Sequence, residues 1–200
     1  MCGHLRVLLL GLGLAAVPVV VDATPLDTTG ASQCETRGYA IDADPKGTNV
    51  RSAPRADAPI IGHLAPRTRM ESNFYEGVEF EIVGSRDGWF LIRRGSPAKD
   101  FTLEPANAAD GRGWVSGRLV GVALSRPPLR AAPRRDAPVV AEMRGSNWGP
   151  DSAGVSAVHA CQGKYVEVTA HPPGGKAVRG WSFAPCSNQL TTCDPAGPSE

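Results

Sequence analysis

The sequence predicts an all-β protein in which two small β-barrels follow one another along the chain. Three observations support this fold class. The 200 residues include 23 glycines and 18 prolines, a density that favours short strands joined by many turns over long helices. A nine-residue segment occurs twice, and apolar residues alternate with charged ones between its two copies. The same composition excludes a coiled coil and a protein with many membrane spans.

The amino-terminal residues 1–23 have the features of a signal peptide. Residues 7–21 carry no charge, but they are fewer than the about 20 apolar residues that span a bilayer, and Pro18 interrupts them. Val21 and Ala23 are small residues at the two positions that a signal peptidase recognises, so we expect cleavage after Ala23. An uncleaved anchor is the alternative. The sequence thus predicts an exported protein, periplasmic or secreted, with no transmembrane segment in its mature chain.

Export would place the remaining cysteines in an oxidising compartment. Removal of Cys2 leaves four of them, which predicts two disulfides with three possible connectivities: Cys34, Cys161, Cys186 and Cys193. Cys34 has no other cysteine in its half of the chain, so we expect it to bond to the carboxy-terminal part. A zinc site using His159, His171 and the later cysteines is the alternative, but the chain has no C-x-x-C pair. We expect no metal and no cofactor.

An internal repeat organises the mature chain. Residues 51–59 (RSAPRADAP) recur as residues 130–138 (RAAPRRDAP), identical at seven of nine positions. Residues 112–114 and 179–181 both read RGW, and residues 88–90 (GWF) match residues 163–165 (GKY), which aligns Lys164 with Trp89. The order of the matches is kept while their spacing changes, as expected for two copies of one module with different loops.

The repeat divides the chain into a linker at residues 24–37, a first barrel at 38–122, a second barrel at 123–193 and a tail at 194–200. In the first barrel, Val78, Phe80 and Ile82 alternate with glutamates, which predicts a strand with one buried face. A turn at residues 85–88, a strand at 89–92 and a long polar connection at 95–111 follow. The second barrel has corresponding strands at residues 155–160, 165–168 and 178–181.

Residues 38–122 resemble the bacterial SH3-like (SH3b) domains. The family's L-N-V-R-x-G-P segment, I-G-x-L strand, G-G-W turn and final G-W-V are represented by residues 49–54, 61–64, 87–89 and 113–115. Thr48 and Ala53 depart from the pattern, and residues 123–193 form a degenerate second copy. The resemblance implies two SH3-like barrels and a binding or targeting module of exported bacterial proteins, often attached to cell-wall hydrolases.

No catalytic domain is expected, because residues 24–37 and 194–200 are too few to form one. The G-x-S-x-G, G-x-G-x-x-G and P-loop motifs are absent from the sequence. Cys161 and His159 are the nearest candidates for a nucleophile and its base, but a disulfide cysteine beside a surface histidine is the better interpretation. We therefore predict no catalytic residues and no enzyme.

Aromatic residues are the candidate ligand-binding residues. The resemblance implies that Trp89 corresponds to the tryptophan that lines the peptide groove of eukaryotic SH3 domains, although burial in the core is equally compatible with its position. Tyr39, Phe74 and Tyr75 are expected in neighbouring loops. Trp114 and Trp181 are expected to pack in the barrels. Lys164, at the position aligned with Trp89, predicts a structural role for the second barrel.

These observations predict an exported, non-enzymatic binding module whose partner is cell-wall peptide (peptidoglycan) or an envelope protein. The counts of 21 Lys and Arg against 20 Asp and Glu show no basic excess, so no nucleic-acid partner is expected. The alternative is an exported inhibitor of an enzyme, with the loop at residues 95–111 as its blocking element. A cysteine-based or metal-assisted enzyme is a third hypothesis.

Overall fold

The computed structural model describes residues 24–71, 74–94, 101–103, 111–143, 153–172, 174–190 and 193. These residues form antiparallel β-sheets and a 3-10 helix, Gly117–Leu119, with no α-helix among them. The predicted all-β fold class is confirmed. The signal peptide expected at residues 1–23 and the tail at 194–200 lie outside the described residues.

The first half of the chain forms an eight-stranded sheet and a small two-stranded one. The large sheet has the order β10-β1-β6-β7-β9-β2-β3-β8, and β4 pairs with β5. The strands are β1 Ser32–Ala40, β2 Thr48–Arg51, β3 Ile60–Leu64, β4 Thr68–Arg69, β5 Tyr75–Glu76, β6 Glu79–Arg86, β7 Trp89–Arg94, β8 Phe101–Leu103, β9 Arg112–Ser116 and β10 Val120–Gly121. The alternation predicted in β6 is present, with Phe80 and Ile82 fully buried.

The second half forms a five-stranded sheet of order β12-β11-β15-β14-β13. Its strands are β11 Pro128–Arg130, β12 Val139–Glu142, β13 Gly154–Gln162, β14 Tyr165–His171 and β15 Val178–Phe183. Five neighbouring strands of the first sheet, β3-β2-β9-β7-β6, are arranged in the same way. Numbered along the chain, the strands of both sets lie side by side in the order second, first, fifth, fourth, third. The two sheets therefore repeat one arrangement of five strands.

The repeated nine-residue segments make the same contacts in the two sheets. Arg51 is in register with Trp114, as Arg130 is with Trp181. Each arginine also donates a side-chain hydrogen bond to the carbonyl oxygen seven residues later, at 2.7 and 3.2 Å. The next residue donates its backbone N–H to a proline carbonyl, from Ser52 to Pro59 and from Ala131 to Pro138. The sequence repeat is thus also a repeat of local structure.

Residues 24–37 are not a linker. Strand β1 begins at Ser32 and pairs with β6 from Ser32 to Tyr39, so the expected boundary at residue 38 falls inside a strand. Before β1, Asp27 donates its backbone N–H to the Ser52 carbonyl and accepts a 2.8 Å hydrogen bond from the Trp114 indole. Strand β1 was not predicted from the sequence because its inward-facing residues are small or polar and do not form an apolar alternation.

Both expected disulfides are present, and Cys34 reaches the second half of the chain as predicted. The Cys34–Cys161 bond joins β1 to β13, and the Cys186–Cys193 bond closes a short carboxy-terminal loop. The buried apolar residues of the two halves form one cluster in which Phe80 and Phe90 belong to the first and Val166 and Val168 to the second. The two sheets consequently share a core as well as a covalent link.

Candidate functional site

A groove between the two halves has a volume of about 1030 Å³. The turn before β7 and the 3-10 helix line it from the first half, and residues 153–159, on and before β13, line it from the second half. The backbone N–H of Gly117 donates to the Gly88 carbonyl at 2.8 Å and so fixes the helix against the turn. A Cβ atom at residue 117 would lie 2.9 Å from the Val158 carbonyl oxygen, so glycine permits this close approach.

Trp89 lines the groove. Asp87 and Gly88 form the two-residue turn that precedes it, with φ angles of 52° and 78°. Positive φ at both central positions is the geometry of a type I′ hairpin turn, which favours Asp-Gly. The ring of Trp89 is partly exposed, whereas Trp114 is fully buried. Trp89 is therefore a surface of the groove, and Trp114 belongs to the core as expected.

The residue equivalent to Trp89 in the second half is Tyr165 and not Lys164. Trp89 is in register with Ser116 in β9, two residues after Trp114, and Tyr165 is in register with Phe183 in β15, two residues after Trp181. The expected alignment was wrong because it matched glycines: Gly88 is the second residue of its turn, but Gly163 is the first. Tyr165 is buried, and its ring contacts Phe183 at a centroid distance of 5.1 Å.

Tyr39 and Ile41 lie between this groove and a second, smaller cavity of about 250 Å³, and Ala123 also lines both. Tyr39 packs over the backbone of β10, where a Cβ atom at residue 121 would lie only 2.5 Å from its ring. The glycine at residue 121 thus sets the position of this ring. Burial raises the pKa of the Tyr39 hydroxyl, which therefore stays protonated at neutral pH.

The other two predicted residues line the second cavity. Phe74 and Tyr75 are 38% and 47% exposed, and the Arg67 guanidinium lies 5.1 Å from the centre of the Tyr75 ring. The structure therefore divides the predicted set: Trp89 lines the groove, Phe74 and Tyr75 line the smaller cavity, and Tyr39 lines both.

None of the polar residues of the groove was predicted to line a ligand-binding site. Arg118 comes from the 3-10 helix, and His159 and Arg179 come from the second half. His159 Nε2 lies 2.8 Å from Thr169 Oγ1, and burial together with the charge of Arg179 lowers the pKa of His159. Arg179 forms an ion pair of 2.8 Å with Glu167. No sequence motif joins these residues, because they meet only where the two sheets pack.

The chemistry suggested for His159 and Cys161 is not supported by their surroundings. Cys161 is in a disulfide and cannot be a free thiolate nucleophile. Cys186 and Cys193 are also bonded, so the thiolates required by the zinc alternative are not available. Among the described residues, no group of three or more His, Cys, Asp or Glu side chains is arranged to hold a metal ion.

Comparison of the chain with protein-family models, with curated proteins and with solved structures found no match. In the part of the chain that the structure describes, no helix is long and apolar enough to cross a membrane.

Proposed function

We propose that this chain is an exported, non-enzymatic binding protein with two SH3-like halves. Its ligand is an extended peptide of the cell envelope, with cell-wall peptide as the leading candidate. The observation that carries the proposal is the partly exposed ring of Trp89 in a groove built by both halves. An aromatic ring at such a position offers a flat apolar wall with an N–H at its edge, which suits a peptide.

The size of the groove supports a small-molecule or peptide ligand. Ligand sites in proteins are commonly about 300–1,000 Å³ and combine apolar walls with a few polar groups. Trp89, Tyr39 and Val155 supply apolar surface here, and Arg118 and His159 supply polar atoms. The Cys34–Cys161 disulfide joins β1, which carries Tyr39, to β13, which carries Val155 and His159. This bond restrains the groove before the ligand arrives, which lowers the entropic cost of binding.

The arrangement of the two cavities supports an elongated ligand. Both cavities include Tyr39, Ile41 and Ala123 in their lining, so they adjoin along one face. Trp89 lines the groove, and Tyr75 lines the smaller cavity. Two aromatic walls separated along a continuous surface fit an extended chain better than a compact ligand.

Export is part of the proposal because two disulfides form in the described chain and disulfides persist in oxidising compartments. The alternative of an enzyme inhibitor rests on the loop at residues 95–111. Of this loop the structure describes only β8, Phe101–Leu103, and the end at Gly111. No described contact favours the inhibitor.

Sedimentation with purified peptidoglycan tests the proposal. We expect the wild-type protein to sediment with it, Trp89→Ala to lose binding while its melting temperature changes little, and Trp89→Tyr to retain part of the binding. Tyr165→Ala is the matched control at the equivalent position: it should lower the melting temperature and leave binding by the remaining folded protein unchanged. Failure of the wild-type protein to bind would overturn the cell-wall ligand.

A further inference from the structure

The groove is lined by more basic than acidic side chains. Four described lining residues can carry charge: Asp87, Arg118, His159 and Arg179. Arg179 is already paired with Glu167 at 2.8 Å. Burial lowers the pKa of His159 below its usual value near 6.5, so the imidazole is mainly neutral at pH 7. Arg118 and Asp87 are therefore the charges that a ligand meets.

Arg118 is positioned to bind a ligand. It is exposed on the 3-10 helix Gly117–Leu119, which the hydrogen bond from Gly117 to Gly88 fixes beside the turn preceding Trp89. Among the described carboxylates, none lies within ion-pair distance of the Arg118 guanidinium. An arginine of this kind can donate two parallel hydrogen bonds to a carboxylate, a stronger interaction than a hydrogen bond between neutral groups.

We propose that Arg118 binds a carboxylate of the extended ligand, next to the Trp89 ring. This inference rests on the proposed function, because it names the chemical group that the same groove recognises. Asp87, in the turn before Trp89, carries the opposite charge and lines the same groove. Its carboxylate repels an anionic ligand, so the two residues affect affinity in opposite directions.

Titration with soluble peptide fragments of peptidoglycan tests the inference, using fragments with free carboxyl groups and the same fragments after conversion of those groups to amides. We expect the amides to bind at least about tenfold more weakly to the wild-type protein, since a charge-assisted hydrogen bond contributes more than the free energy of a tenfold change. Arg118→Gln should weaken binding of the free acids by a similar factor and leave binding of the amides unchanged.

Two further variants distinguish the effect of a charge inside the groove from the effect of the protein's net charge. Asp87→Asn should strengthen binding of the free acids severalfold, and asparagine also accepts the positive φ of residue 87. Arg135→Gln removes an exposed arginine outside the groove and should leave both affinities unchanged. The effects of Arg118→Gln and Asp87→Asn should both shrink at high salt, because exposed charges are screened.

The outcomes separate the inference from the proposed function. Equal binding of acids and amides, or equal losses for both on Arg118→Gln, would overturn the role of Arg118 and leave the proposed groove standing. If neither fragment binds the wild-type protein, both proposals fail. Fragments amidated only at the terminal carboxyl identify which carboxylate is bound: a loss of affinity assigns the terminal group, and retained affinity assigns a side-chain group.

Discussion

The hydroxyl of Ser85, in the first sheet, lies between the two backbone polar groups of Cys161, in the second. Ser85 Oγ accepts a hydrogen bond of 2.9 Å from the Cys161 N–H and lies 3.2 Å from the Cys161 carbonyl oxygen. Ser32 Oγ donates to the same carbonyl at 2.8 Å. These bonds adjoin the Cys34–Cys161 disulfide, so a buried polar network and a covalent bond hold the two halves together at one place.

Ser85→Ala should destabilise this junction, because it leaves the buried N–H of Cys161 without its acceptor. A buried donor deprived of its partner costs about 1–3 kcal/mol. Denaturant unfolding of the oxidised protein measures the loss in the free energy of unfolding. Ser156→Ala, which removes a hydroxyl on the exposed face of β13, is the control and should change it by less than about 0.5 kcal/mol. Equal losses in the two variants would contradict the role of Ser85.

The two disulfides should contribute unequally to stability. Cys34 and Cys161 are 127 residues apart, and Cys186 and Cys193 are 7 apart. Because a bond that closes a longer loop removes more entropy from the unfolded chain, replacing the first pair by alanine should cost about 5 kcal/mol and replacing the second about 2 kcal/mol. Denaturant unfolding measures both, and peptide mapping without reduction checks the pairing. A larger loss from the Cys186–Cys193 replacement would refute this expectation.

Trp114→Ala should destabilise the first half strongly. The Trp114 side chain is fully buried, and truncating a buried tryptophan typically costs about 3–5 kcal/mol. The variant also removes the indole N–H that binds the Asp27 carbonyl. Thermal melting should show a much larger decrease for Trp114→Ala than for Trp89→Ala, whose ring is partly exposed. Comparable decreases would place Trp89 in the core and overturn its assignment to the groove.

The ionised form of Asp27 should stabilise the fold in mild acid. Hydrogen bonds from Arg86 and from the Thr29 N–H lower the pKa of its carboxyl to about 2, from 3.8 for an unperturbed aspartate. Since the folded pKa is the lower one, this contribution is complete above about pH 4 and is lost as the pH falls through about 2. Denaturant unfolding between these pH values should show a steeper decline for the wild-type protein than for Asp27→Asn.

A control for the acid experiment is Asp57→Asn, since the Asp57 carboxylate pairs with Arg55 on an exposed turn. Exposed pairs of this kind contribute little to stability, so its acid profile should follow that of the wild-type protein. If Asp27→Asn declines with pH as steeply as the wild-type protein does, the contacts of Asp27 with Arg86 and Thr29 do not stabilise the fold.

Local patterns in the sequence were sufficient to predict much of the fold. The alternation at Phe80 and Ile82 predicted β6, and the recurrence of residues 51–59 at 130–138 predicted two copies of one local structure. The position of Cys34 predicted a covalent link between the halves, although its partner among three cysteines stayed open. These predictions succeeded because periodicity and turn composition are properties of a short segment. The link from Cys34 followed from counting the cysteines in each half of the chain.

Other features were decided only by the tertiary structure. Strand β1 begins at Ser32 because its small and polar residues pair with β6, a contact that no local apolar pattern reveals. The counterpart of Trp89 is Tyr165 and not Lys164, because the strand register, and not the position of a glycine, defines which residues are equivalent. Arg118 and His159 line one groove because the 3-10 helix packs against β13. Residues this far apart in the chain are brought together by packing energy, which depends on the three-dimensional fit of both sheets.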